Sequence, residues 1–267
     1  MTTTNVIDLE NIYGAHNYLP LPVVLVRGKG AYLWDDQGKR YLDMMSAYSA
    51  VSHGHCHPRL VKALARQAKQ LAVCSRAFYN DQLGPFLAKA CALTGYDQAL
   101  PMNSGAEAVE TALKAARKWA YQVKRVPQEY AEIIACQNNF HGRTLAAIGM
   151  SSEPQYRAGF GPFTPGFKLI PYGDARALEA AITSNTAAFL VEPIQGEGGI
   201  IVPPPGYLAE CARLCAKNNV LLICDEIQTG LGRTGAWFGS NTYDIVPDII
   251  QLGKAITSGY APLSATV

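Results

Sequence analysis

No apolar run in this chain approaches the roughly 18 residues that a membrane-crossing helix requires, so no membrane partner is expected. The opening stretch, Met1-Thr-Thr-Thr-Asn-Val-Ile-Asp-Leu-Glu10, lacks the charged and apolar regions of a secretory leader. Charge is scarce as well. The net charge is +2 with no basic run, which argues against nucleic acid as a partner. Seven cysteines are an odd number and lack paired spacing, so a disulfide framework is not expected and a reducing cytoplasm is. Cys211 and Cys215, four apart, read as two small apolar residues on one helix face. Repeats and low-complexity tracts are also missing. What remains is a 267-residue chain, 49% hydrophobic, able to bury one large core, or one core plus a fragment of a second domain.

The hydrophobic pattern changes along the chain. Residues 18–50 suggest short strands and turns, with runs at 21–26 and 31–34 separated by Gly28-Lys-Gly30. After Pro58 the spacing becomes helical, with Leu60, Val61, Leu64, Ala65 and Ala68 on one face, and a second helix is expected over 83–93. Then five short apolar runs, at 132–136, 167–170, 187–191, 220–224 and 249–252, alternate with helical stretches. Runs that are apolar throughout suit strands buried on both faces of a mostly parallel sheet flanked by helices, an α/β fold. The last residues, Ala261-Pro-Leu-Ser-Ala-Thr-Val267, read as a strand just beginning, as in a longer protein whose C-terminal part is missing.

Two strand ends carry the most specific chemistry. Val220-Leu-Leu-Ile-Cys-Asp225 ends on a carboxylate, and Asp248-Ile-Ile-Gln-Leu-Gly-Lys254 ends on a lysine, 254 − 225 = 29 residues later. A lysine amine that forms a Schiff base, with a carboxylate that keeps a pyridinium nitrogen protonated, is what pyridoxal 5'-phosphate (PLP) requires. In parallel α/β sheets the carboxyl ends of neighbouring strands open onto one crevice.

Other motifs admit two readings. Ser104-Gly105-Ala106-Glu107 fits a capping box at the start of a helix expected to run to about Lys124, and equally a phosphate site at that helix's N-terminus. In Asn138-Asn-Phe-His-Gly-Arg-Thr144, Phe140 could stack on a cofactor ring and Arg143 could grip a carboxylate, or remain a solvated charge. Glu192 and Glu197 share a glycine-rich loop, but nothing else supports glycoside cleavage. Gly230-Leu-Gly-Arg-Thr-Gly235 matches a dinucleotide fingerprint without the helix that should start inside it. His53, His55, Cys56 and His57 are spaced more tightly than the usual separated pairs of zinc ligands, so no metal is expected and a turn into the helix after Pro58 is.

Together, Asn103-Ser-Gly-Ala-Glu-Ala108, Phe140-His-Gly-Arg-Thr144, Val191-Glu-Pro-Ile-Gln-Gly-Glu197, Cys224-Asp-Glu-Ile-Gln-Thr-Gly230 and Leu252-Gly-Lys-Ala255 resemble class III (fold-type I) PLP-dependent aminotransferases over essentially the whole chain. Within that class, Tyr13-Gly-Ala-His-Asn-Tyr18, Tyr48-Ser-Ala-Val51, Gly54-His-Cys-His-Pro58, Ser75-Arg-Ala-Phe-Tyr-Asn80 and Gly159-Phe-Gly-Pro-Phe163 are most similar to the members that act on ornithine. The resemblance implies a large PLP-binding domain over 51–267, preceded by a small-domain segment over 1–50 that contributes substrate contacts.

It further implies that Lys254 holds PLP and moves the transferred proton, that Asp225 contacts the ring nitrogen, and that Gln228 contacts the phenolic oxygen. Phe140 would stack on the ring with His141 beside it, and Ser104, Gly105 and Ala106 would receive the phosphate. Tyr18, Tyr48 and Arg143 would hold the α-amino and α-carboxylate end of the substrate. Glu197 would pair with an arginine that family members carry near the C-terminus, which is absent from 1–267. His141 stands where some members have tryptophan. The implied reaction transfers the δ-amino group of ornithine to 2-oxoglutarate in a homodimer or higher homo-oligomer, with amino-acid and 2-oxo-acid substrates. Acetylornithine or 4-aminobutyrate is the alternative donor, against which Tyr18 argues, because a free α-amino group needs a polar partner. A non-catalytic truncated fragment is the alternative of a different class.

Overall fold

The computed structural model describes residues 3–267. The chain divides into two compact units, Met1–Cys74 and Ser75–Val267, with the boundary downstream of the division expected at 50/51.

In the first unit, helix α1 (Thr3–Tyr13) precedes an antiparallel meander of β1 (Leu25–Lys29), β2 (Tyr32–Asp35) and β3 (Arg40–Leu42). The strand expected from residue 21 begins at Leu25; Pro20 and Pro22 have no N–H to give a ladder. Asp35 ties the β2–β3 turn by accepting hydrogen bonds from the amides of Gln37 and Lys39 and from the Tyr41 hydroxyl. A single turn, α2 (Ser46–Ser49), runs left-handed, with φ from 47° to 73°. Helix α3 (Pro58–Ala68) starts where expected, with Pro58 in its first turn after an extended His57.

The second unit contains α4 (Leu83–Thr94), β4 (Leu100–Met102) and α5 (Gly105–Trp119), which continues through a π-helical turn to Lys124. After β5 (Glu132–Cys136) come the short α6 (Leu145–Gly149) and α7 (Pro154–Arg157), then β6 (Phe167–Ile170), α8 (Ala175–Ala181) and β7 (Thr186–Val191). Helix α9 (Tyr207–Lys217), β8 (Leu221–Asp225), α10 (Gly239–Thr242), β9 (Ile249–Leu252), a 3₁₀ turn at Lys254–Ile256 and β10 (Ser264–Thr266) complete it. The seven strands lie in the order β4-β10-β9-β8-β7-β5-β6. Neighbours from β9 to β6 pair in parallel, whereas β10 is antiparallel to both β9 and β4. The chain-end segment is thus an interior strand, locked by paired backbone hydrogen bonds between Val267 and Ile250.

The two faces of the sheet explain the unbroken apolar runs. One face packs Ile134, Phe189, Leu222 and Ile250 against Leu208, Cys211, Leu214 and Cys215 of α9. The other packs Ile133, Leu190 and Ile223 against Val109, Ala112, Leu113 and Ala116 of α5. Each fully buried large side chain of this set contributes about 1.5–3 kcal/mol. Parallel register brings the carboxyl ends of β5, β7, β8 and β9 to one edge, with Asp225 opposite Gln251.

Candidate active site

The residues just beyond those strand ends surround a cavity of about 210 Å³. Lys254 follows β9, Asp225 ends β8, Glu192 follows β7, and Phe140, His141 and Gly142 follow β5. Gly105 and Ala106, which open α5, face it from the other side, and Gln228 and Glu197 close it. As the first residues of a helix, Gly105 and Ala106 carry amides with no intrahelical partner, in the positive end of the helix dipole. Ser104 does not line the cavity. Its hydroxyl caps α5 by accepting the Glu107 amide at 3.3 Å. The Glu107 carboxylate bonds back to the Asn103 amide at 3.0 Å.

Asp225 is buried, and each of its oxygens is already engaged. Oδ2 meets His141 Nδ1 at 2.7 Å and Oδ1 accepts the Ile227 amide at 3.1 Å. Facing a carboxylate, which can only accept, Nδ1 carries the hydrogen. His141 is wholly buried and its Nε2 has no hydrogen-bond partner. Burial opposes its protonation, but the hydrogen bond and charge of Asp225 outweigh burial and raise its pKa.

Glu192, one of two acids that the sequence places in a glycine-rich loop, also lines the cavity. It is 7% exposed, accepts the Phe140 amide at 3.1 Å, and is pushed up to about 7, chiefly by burial. Glu226, next to Asp225, points elsewhere and accepts the amides of Gly239 and Ser240, anchoring α10.

Lys254 itself has φ +41°, a left-handed conformation uncommon for a side-chain-bearing residue and a form of strain found at functional sites. Gln228 Nε2 donates to Glu197 at 3.2 Å, so Glu197 has a partner within the loop cluster. A Cβ at Gly196 would fall 1.4 Å from the Gln228 side-chain oxygen, so any larger residue there would push the Gln228 amide aside.

Arg143 does not line the cavity. Its guanidinium sits against the rings of Phe140 and Tyr156. Tyr18 and Tyr48 belong to the first unit, where both border a large apolar pocket with Leu21, Leu33 and Met45. Residues 230–234 run as consecutive turns and Gly235 begins a bend, without the helix a dinucleotide fingerprint needs. His55 pairs with Asp43 at 2.7 Å, and no group of three or more metal-ligating side chains occurs among the described residues.

A set comprising a lysine amine, a buried carboxylate, an aromatic ring and a helix N-terminus around one cavity fits PLP. The polar groups would suit its ring nitrogen, aldehyde and phosphate, and pairing with His141 holds the buried Asp225 carboxylate in a fixed orientation.

Comparison with known proteins agrees. The chain is 58% identical over 262 residues to an ornithine aminotransferase of an Exiguobacterium species, covering 98% of this chain and 65% of that relative. It superimposes on a Toxoplasma gondii ornithine aminotransferase, described with partial occupancy of PLP at its active site, with TM-score 0.98 and 50% identity; the match covers all of this chain and 63% of that one. An acetylornithine aminotransferase from Elizabethkingia anophelis matches with TM-score 0.88 and 49% identity, over all of this chain and 64% of that one. The chain therefore spans about two thirds of the length of these relatives. The family profile described as "Aminotransferase class-III" matches residues 13–267, and the chain belongs to that family.

Proposed function

We propose that this chain carries the cofactor-binding part of an ornithine δ-aminotransferase, which converts L-ornithine and 2-oxoglutarate to glutamate 5-semialdehyde and glutamate. The observation that carries the reading is the convergence of Lys254, Asp225, Phe140 and the Gly105-Ala106 amides on one cavity. When bound, PLP supplies the electron sink on which amino-group transfer depends. Lys254 would be the residue that holds the cofactor, and its Nζ would serve as the base that carries the proton at the reacting carbon. Asp225, oriented by His141, holds the ring nitrogen protonated. Gln228 contacts the phenolic oxygen, Phe140 covers a ring face, and the amides of Gly105 and Ala106 take the phosphate, with Ser104 fixing the helix start that presents them.

Tyr18, Tyr48 and Arg143 hold the α-amino and α-carboxylate end of ornithine, and Glu197 helps the site accept both substrates. In this reading the first unit supplies substrate contacts through Tyr18 and Tyr48, the second unit holds the cofactor, and the working form is a cytoplasmic homodimer. The names of the similar ornithine aminotransferases support ornithine rather than its acetylated form as the donor, and so does Tyr18, a polar partner for a free α-amino group.

The test is to add PLP to the purified chain, record its visible absorption band, and titrate with L-ornithine, N-acetylornithine and 4-aminobutyrate. A band that Lys254→Ala abolishes and ornithine bleaches at the lowest concentration is expected. Stronger bleaching by N-acetylornithine would reassign the substrate. No band at all would leave a non-catalytic fragment.

A further inference from the structure

We infer that Tyr172 is a positioning residue that sets the segment 192–197 against the cofactor cavity; this rests on the cofactor reading above. Three residues around that cavity, Glu192, Ile194 and Glu197, leave β7 in this one segment. The segment has left the sheet, because the pairing of β7 with β8 ends at Val191 and Pro193 has no N–H to extend a ladder. Glu192 and Pro193 are buried, and buried carbonyls at such a point need donors from elsewhere. The Tyr172 hydroxyl is such a donor, to the Glu192 carbonyl at 3.1 Å and to the Pro193 carbonyl at 3.0 Å. Tyr172 does not line the cavity itself. It follows β6, which lies on the far side of β5 from β7, so it acts on the cavity wall from outside.

The hydroxyl is fixed independently of the segment. The Tyr172 ring meets that of Tyr207 on α9 edge to face, 5.4 Å apart at 68°. Tyr207 is buried, with its own hydroxyl 3.5 Å from Cys136 Sγ at the end of β5. Burial also pushes the Tyr172 hydroxyl well above its ordinary value, so it stays a donor through neutral and mildly alkaline pH. Further ties run from the segment to the loop after β5. Gln195 Nε2 donates to the Gln137 carbonyl at 2.8 Å, and the Glu192 carboxylate accepts the Phe140 amide at 3.1 Å. Those ties join the two loops, whereas Tyr172 holds the residues from which the segment starts. A shift there is carried to each cavity-facing group downstream, beginning with the Glu192 carboxylate. That carboxylate feels the charges of His141 after β5, Asp225 at the end of β8 and Lys254 after β9, so its placement sets part of the charge around the cofactor.

The experiment compares the chain with its Tyr172→Phe variant, which keeps the ring on Tyr207 and removes the hydroxyl. Thr183→Val, which removes a hydroxyl bonded to Glu132 near the opposite end of β7, controls for loss of stability alone. Absorption titration gives Kd for PLP. NMR of the Glu192 carboxyl carbon, assigned with Glu192→Gln, gives its titration without any ligand. Tyr172→Phe is expected to weaken PLP binding roughly three- to tenfold. It should also lower the Glu192 titration from about 7 toward the ordinary carboxylate range, because a released segment lets water reach the carboxylate. Thr183→Val should match the parent in both. An unmoved Glu192 titration or an unchanged Kd in Tyr172→Phe overturns the inference, as does an equal change in Thr183→Val. Should the parent not bind PLP, the cofactor reading fails on its own. The carboxyl titration then decides: a fall in Tyr172→Phe alone supports the hold on the segment, and no fall, or the same fall in Thr183→Val, overturns it.

Discussion

Asp225, His141 and Glu192 form a buried group of three titratable side chains at the ends of β8, β5 and β7. Glu192 rises from about 4.5 to about 7 on folding, mainly through burial. The folded form therefore binds a proton that the unfolded chain has released, and the associated stability is full below pH 4.5 and lost as pH climbs through about 7. His141, also raised, has the same sign: its contribution is full below the ordinary histidine value and is lost as pH rises through its folded value. Urea unfolding should show stability falling by on the order of 3 kcal/mol between pH 4.5 and neutrality, and Glu192→Gln should flatten most of that slope. A slope unchanged in Glu192→Gln would assign it to other groups.

Gly142 is the other informative residue. At φ +113°, with Ala106 Cβ only 2.8 Å from where its own Cβ would stand, it lets the 140–143 loop lie against the start of α5. Gly142→Ala should cost about 1–3 kcal/mol and weaken PLP binding, measured by absorption titration. Intact PLP affinity would show that the helix start had not moved.

At the scale of elements, α5 links local sequence to the cavity. Ser104 caps the helix, and the Glu107 carboxylate ties down the preceding amide. Ser104→Ala should lower stability by about 1 kcal/mol, and Ser104→Asp should restore most of it, as read by denaturant midpoint. If Ser104 acted only through a direct phosphate contact, Ser104→Ala would weaken PLP binding while leaving the apo midpoint unchanged. Strand β10 shows how an element can depend on distant partners. Ser264 and Thr266 donate their hydroxyls to the carbonyls of Ser104 and Ala108 on α5, while Ala265 faces the opposite core.

At the scale of the whole molecule, ligand and fold are thermodynamically linked. A ligand that binds only the folded chain stabilises it by about 2.7 kcal/mol at a hundredfold excess over its Kd. PLP at that excess should raise the unfolding midpoint accordingly, and inorganic phosphate alone should raise it less. Lys254→Ala should lose the covalent share of the gain. An equal shift in Lys254→Ala and the parent would mean that attachment at Lys254 contributes nothing to binding.

Local sequence determined those features that depend on near neighbours. The runs at 132–136 and 249–252 became strands over the residues expected because they are apolar throughout and bounded by turn formers. The start of α5 was legible in Ser104 and Glu107, which satisfy amides within four residues of themselves. Lys254 and Asp225 stood out because each ends such a run. Tertiary structure decided what depends on groups far apart in the chain. The pairing of β10 between β4 and β9 joins residues about 160 positions apart with those about 15 apart. The raised pKa of Glu192 arises from burial and from the charge of Asp225, which together outweigh the opposing charge of His141, none of it visible in Val191-Glu-Pro193. Tyr156 beside Arg143 has no local motif either, because a ring's contact with a guanidinium thirteen residues earlier depends on where α7 packs. Periodicity and capping act over one turn or one strand, whereas desolvation and stacking act only after the chain has closed around them.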